Sequence, residues 1–209
     1  MDIKVKVCPL TALMSNCCII VAENGDAAVV DPGEYCTRLE NALATEGVKE
    51  LKYILLTHGH FDHITGAGKL RENYGGKIAV HSLDSRCLTD AGESRAAYFG
   101  FDFKEIEPDI ILEDGSTLPF GDSEIEVIHT PGHTVGGVCY KISNHLFTGD
   151  TLFNMCIGRT DFPGGSMREM LSSMEKLRKI EGSFTVYPGH DRLTTLDYEK
   201  THNPYMKGI

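Results

Sequence analysis

The feature that most restricts the fold is His58-x-His60-x-Asp62-His63, which directly follows the short apolar run 53–56. Four ligand-type side chains this close together are too dense for one helix face. In a loop leaving a strand, the first two imidazoles converge on one ion. Asp62 and His63, a step further on, then aim at a neighbouring one. Imidazole and carboxylate donors suit zinc, and also iron, manganese or cobalt. Such a loop needs further ligands brought to it from elsewhere in the chain.

Three segments have the form to supply them. Each is an apolar β-run that ends in glycine followed by a ligand type: 125–133 (IEVIHTPGH), 146–150 (LFTGD) and 184–190 (FTVYPGH). Glycine beside the ligand lets the backbone approach closely, and a Pro-Gly pair turns the chain at the sheet edge. With the histidine-rich loop they offer His58, His60, His63, His133, His190, Asp62 and Asp150, enough for two ions.

The rest of the chain reads as alternating sheet and helix. Strands are expected over 3–8, 17–22, 27–31, 53–56 and 77–80, and in the second half over 110–112, 124–129, 137–142, 146–148 and 184–187. Helical spacing follows at Tyr35, Leu39, Ala42 and Leu43, and at Ile64, Ala67, Leu70 and Tyr74. The clearest helix starts at Ser166, a cap with Glu169 three residues on, and presents Met167, Met170, Leu171, Met174, Leu177 and Ile180 as a packing stripe. A short helix is expected over 195–201. Strands that cluster early in each half, with helices after them, predict an α/β (α+β) chain of one domain over 1–209, its two sheets held between helical layers.

Composition narrows the function classes. Twenty basic against thirty acidic residues give a formal charge of −10, which argues against a nucleic-acid partner. No run approaches the roughly 18 apolar residues of a membrane span. The seven cysteines are odd in number and form no C-x-x-C pair, so they are expected as small buried hydrophobes in a reducing, cytoplasmic compartment. Cys156 has no activating base in view and is not read as a nucleophile. Asp31, in Val-Val-Asp-Pro-Gly, either orients a ligand imidazole or caps its turn. His81 and His129 are expected to be structural. Arg159 and Asp161 either form a substrate wall or pair with each other.

The sequence resembles the metallo-β-lactamase-fold hydrolases, and among them the compact bacterial members of the glyoxalase II-like (hydroxyacylglutathione hydrolase-like) branch. The residues that carry the resemblance are 57–66 (THGHFDHITG), 130–137 (TPGHTVGG), 148–153 (TGDTLF), 157–166 (IGRTDFPGGS) and 187–190 (YPGH). It implies a four-layer αββα sandwich, with His58, His60 and His133 on one metal, Asp62, His63 and His190 on the other, and Asp150 between them. Two divalent ions are implied, zinc first, with iron or manganese as alternatives. Two such ions can lower the pKa of a shared water towards 7, so a metal-bound hydroxide attacks an acyl carbonyl, with Asp62 orienting it and carrying its proton. The expected substrate is a small acyl thioester, and the expected assembly a monomer or small homo-oligomer without a membrane partner. Only residues 191–209 follow His190, which leaves no place for a helical glutathione-gripping extension. An iron-dependent persulfide dioxygenase is the alternative reading. Lactonase, phosphodiesterase and a non-catalytic metal-binding domain rank below it. Asp150 and the absence of a cysteine ligand set the β-lactamases themselves aside.

Overall fold

The computed structural model describes residues 3–207. Six strands, β1 (Ile3–Leu10), β2 (Ser15–Ala22), β3 (Ala27–Val30), β4 (Tyr53–Leu55), β5 (Lys77–His81) and β6 (Ile110–Leu112), form the first sheet in chain order. β1, β2 and β3 are antiparallel, and β3 through β6 run parallel. The parallel strands are linked by α1 (Thr37–Thr45), by α2 (Phe61–Ile64) with α3 (Ala67–Tyr74), and by a 3-10 segment (Ser82–Leu88) with α4 (Ala96–Phe99).

The second sheet, ordered β14-β13-β10-β9-β8-β7, contains β7 (Thr117–Phe120), β8 (Ser123–His129), β9 (Val138–Ile142), β10 (His145–Gly149), β13 (Thr185–Pro188) and β14 (Thr194–Thr195). A small hairpin, β11 (Leu152–Phe153) with β12 (Cys156–Ile157), leads to α5 (Met167–Arg178), and α6 (Leu196–His202) comes last.

Period-two alternation sorts each strand between two cores. Ile19, Val29, Ile54 and Ile78 face α1 and α3, where Leu39, Leu43 and Leu70 cover them. Their neighbours Ile20, Val30, Leu55 and Ala79 face the other sheet and meet Val127, Val138, Tyr140 and Phe147. On the far side of that sheet, Ile128, Leu146 and Val186 pack on Met170, Met174 and Leu177 of α5 and Leu196 of α6. The expected αββα sandwich is what the chain forms. Among the described residues, no helix is long and apolar enough to cross a membrane.

Several local expectations shift. β1 continues through Pro9, because a strand with only one neighbour tolerates a missing N–H. The predicted 64–74 helix is interrupted before Ala67: Gly66 N donates to Pro32 O at 2.8 Å instead of to a helical carbonyl, so α2 and α3 are separate. Ser166 caps α5 by accepting from Glu169 N, but Met167 and Leu171 lie exposed outside the packed stripe. β7, the β11–β12 hairpin, β14 and the helical turns within 82–99 carry no sequence expectation.

Candidate metal centre

The ligand-type residues sit where strands end at one edge of the sandwich. β4 leads into Thr57–His60, β8 into the turn that carries His133, β10 into Asp150 and β13 into Gly189-His190. Backbone bonds across the two sheets fix this edge. Val138 N donates to Thr57 O at 2.8 Å, and Asn16 N donates to Gly189 O at 2.7 Å. The histidine-rich stretch is a loop that becomes helix: His60 is the residue before α2, and Asp62 and His63 lie inside it. That change of direction separates the first two imidazoles from the next two ligands.

The structure brings all seven together as two trios. His58, His60 and His133 place one ligand atom each within 4.8 Å of one another, and so do Asp62, His63 and His190. Asp150 lies between the trios. Its Oδ2 is 3.4 Å from His133 Nε2 and 3.7 Å from His190 Nε2, while Oδ1 is 3.5 Å from His63 Nε2. This approach requires glycine at 189, since a Cβ there would fall 2.2 Å from Asp150 Oδ1 and 2.9 Å from His63 Cε1. Gly132 does a different job from the expected one. Its φ is +141°, and a side chain would strike the backbone of Met170 in α5 rather than the ligand cluster.

The outward ring nitrogens are tied to the protein, which aims the inward ones at the centre. His133 Nδ1 donates to Arg159 O at 2.8 Å, and His190 Nδ1 to Leu13 O at 3.2 Å. His63 Nδ1 donates to Asp31 Oδ2 at 3.0 Å. Thr57 Oγ1 donates to the same oxygen at 2.6 Å, so it accepts from His58 Nδ1 at 3.1 Å. Thr57 N occupies Asp31 Oδ1 at 2.7 Å. Asp31, with φ +50°, thus orients one imidazole of each trio. Its proximity to His58 and His63 does not make a third ion site, because both of its oxygens are engaged.

Asp84, for which the sequence offered no signal, performs the matching task for the first trio. It is buried and holds two ligand loops together. Oδ2 accepts from Gly59 N at 2.9 Å and from Thr134 Oγ1 at 2.7 Å, and Oδ1 accepts from Gly136 N at 2.7 Å.

Electrostatically the trios differ. Burial first, then the neighbouring histidines, push the His58 and His60 imidazoliums well below their ordinary range. Burial would also lower His63, but Asp62 and Asp150, with Asp31, outweigh it and hold its pKa up at about 10. His190 moves upward too, its burial overcome by the hydrogen bond to Asp62 and the charge of Asp150. Asp62 is buried, yet the charges of His63 and His190 keep its carboxyl well below the usual carboxylate range.

The donor set fits divalent ions. His58 Nε2 and Asp150 Oδ1 are buried with no hydrogen-bond partner, and both belong to the cluster. Buried polar atoms are almost always partnered, so these orphans point to an ion. Arg159 and Asp161 do not reach the centre. They pair bidentately at 2.7 and 2.8 Å on the surface, and the Arg159 guanidinium lies 3.7 Å over the Phe162 ring. His81 is buried and stacks on His129 at 4.2 Å, apart from both trios. Cys156 is the one exposed cysteine, while Cys8, Cys17, Cys18, Cys87 and Cys139 are buried.

A sandwich of this topology with two His/Asp trios at one sheet edge defines a metallo-hydrolase scaffold. The chain belongs to the metallo-beta-lactamase superfamily, whose pattern matches residues 10–190. It is 33% identical over 207 residues to the hydroxyacylglutathione hydrolase GloC of Haemophilus influenzae, covering 97% of each chain. Among solved structures, the B3 metallo-beta-lactamase BLEG-1 superposes with a TM-score of 0.91 at 32% identity, covering 98% of this chain and 100% of that one. TTHA1623, solved in a di-iron-bound form, superposes at 0.85 with 31% identity, covering 96% and 100%. BLEG-1 narrows the expectation that sets β-lactamases aside, since a chain this similar bears that name.

Proposed function

We propose that this chain hydrolyses acyl thioesters at a dinuclear metal centre. The observation that carries the reading is the pair of trios on either side of Asp150, with His58 Nε2 and Asp150 Oδ1 buried and unpartnered. The similarity to GloC supports the thioester as substrate. His58, His60 and His133 would hold one ion, Asp62, His63 and His190 the other, and Asp150 would contact both. Zinc is the first candidate, with iron or manganese on the same ligand chemistry. When bound, the ions supply Lewis-acid polarisation of the carbonyl and acidify a water.

The protein's own part is orientation and proton handling. Asp62 is ionised and lies 3.3 Å from His190 Nε2 and 3.5 Å from His63 Nε2. Its backbone carbonyl is held by Ser15 Oγ at 2.7 Å. A carboxylate fixed in this way would orient the attacking water and pass its proton to the departing group. A thiolate leaves with little help, because thiols ionise near pH 8.5, so no further acid is required. The proposed substrate is a diffusible small molecule, and the protein is proposed to act in the cytoplasm as a monomer or small homo-oligomer.

The test is a panel on metal-loaded protein: acyl thioesters, a lactone, a phosphodiester, a β-lactam, and oxygen uptake with a persulfide. Thioesters should be turned over fastest, and Asp62→Ala should lower that rate by about a hundredfold or more. Oxygen consumption on the persulfide by protein with a single iron, or a β-lactam preferred over every thioester, would contradict the reading.

A further inference from the structure

We infer that the acyl group this site accepts is apolar, aryl or branched alkyl, and that it lies on a ledge of phenylalanine rings beside the first trio. The inference rests on the thioester reading and names its substrate class. The ledge begins at the ligands themselves. Phe162 stands edge-on to His60, centroids 5.9 Å apart at 87°. Phe99 lies 6.3 Å beyond Phe162, Phe61 lies 5.3 Å from Phe99, and Phe101 lies 4.4 Å from Phe61. Phe61 and Phe101 then line a cavity of about 290 Å³ with Thr11, Ala12 and Thr65.

Three separate stretches of chain build this row: α2, the end of α4 with the residues after it, and the loop before α5. Phe61 is its buried base, while Phe99 and Phe101 are 45% and 40% exposed. Exposed rings gathered next to a reactive centre have apolar surface that a ligand can cover, and aromatic contacts add to the area term. The charge pattern selects which end of the substrate lies there. Arg159, stacked on Phe162, is paired with Asp161, and two other cations, Arg86 and Arg95, line a separate cavity beside His60 that the four rings do not border. Glu34 on the cavity rim accepts from Thr11 N and disfavours an anionic tail. Carrier thiols that keep a substrate in solution are polar and charged, which leaves the uncharged acyl group for the ledge.

The experiment uses the metal-loaded full chain and thioesters of one small thiol carrying acetyl, lactoyl or phenylacetyl groups. The phenylacetyl ester should exceed the lactoyl ester in kcat/KM by about tenfold or more, and Phe99→Ala and Phe162→Ala should each remove most of that ratio, chiefly through KM. Phe99→Leu should keep part of it. A readout independent of turnover is calorimetric binding of the phenylacetyl ketone analogue, with CH2 in place of sulfur, which Phe99→Ala should weaken about tenfold. A flat acyl profile, or equal losses on all esters, would overturn the ledge while the hydrolase stands. Ketone binding that depends on Phe99 with no thioester turnover keeps the ledge and removes the hydrolase. A loss of dimer mass in Phe99→Ala on sedimentation, with acyl preference unchanged, would assign the rings to a second copy instead and overturn the inference.

Discussion

The two trios stand side by side, yet they are built on opposite principles. His58, His60 and His133 are three buried imidazoles, and the first two are kept neutral first by burial and then by neighbouring histidines, His63 foremost for His58 and His133 for His60. Asp84 clamps their loops from behind. Asp62, His63 and His190 include a carboxylate, and their imidazoles favour the charged form without an ion. His190 is the more open ligand, and its outward nitrogen rests on Leu13 O in the β1–β2 turn. The first trio is therefore ready for a cation, whereas the second must give up protons to take one. The difference predicts that, at neutral pH, an ion on the first trio would be held more firmly than one on the second.

The largest expected effect breaks the comparison at its stronger side. His58→Ala should empty the first trio and lower hydrolysis by about a thousandfold or more, since an ion supplies several kcal/mol and each 1.36 kcal/mol is tenfold. His190→Ala should lose only the second ion and cost less activity. Elemental analysis beside steady-state rates reads both.

Next comes the clamp. Asp84→Asn keeps the shape but removes acceptor capacity, and should weaken the first ion about 10- to 100-fold with the second little changed. Asp31→Asn should weaken both, because Asp31 bonds His63 directly and orients His58 through Thr57. Competition against a chelator distinguishes the two patterns.

The comparison sharpens with pH. His63, held up at about 10, must lose its proton before it can bind an ion, so affinity at the second trio should climb as pH rises through that value. At the first trio, His58 and His60 are already neutral at pH 7, and affinity should be nearly flat above the ordinary histidine range near 6.5. Calorimetry in buffers of different ionisation heat should count about one proton or more released at pH 7.5 by the second ion and fewer by the first. Equal proton release by the two ions would erase the distinction.

The smallest effect is expected at the surface pair. Asp161→Ala breaks an exposed ion pair and should leave the chemical-denaturation midpoint almost unchanged. His133 should keep its orientation, because it bonds to Arg159 O and not to the side chain.

The legible part of the site was that in which chemistry travels with sequence. His58, His60, Asp62, His63, His133, Asp150 and His190 each follow or sit near an apolar run, so one stretch of sequence signals both strand and ligand. The supports were hidden for a physical reason: Leu13 and Arg159 act through backbone carbonyls, which any residue could supply. Asp84 lies in a 3-10 segment without hydrophobic periodicity, 25 residues from the Gly59 N it holds. The two sheets were legible from period-two runs, but β7 was not, since Pro119 sits in the short stretch Thr-Leu-Pro-Phe. The packed face of α5 is narrower than the stripe that helical spacing predicts. Helical spacing places Met167 and Leu171 near the packed face but cannot show where that face stops meeting the sheet.

The most direct test is the metal content of the wild type and the His190→Ala protein after loading with zinc and exhaustive dialysis. Two ions per chain in the wild type and one in His190→Ala, with the first ion retained at neutral pH, is the predicted result. A single ion in the wild type, or loss of both ions together in His190→Ala, would contradict a centre built from two unlike halves.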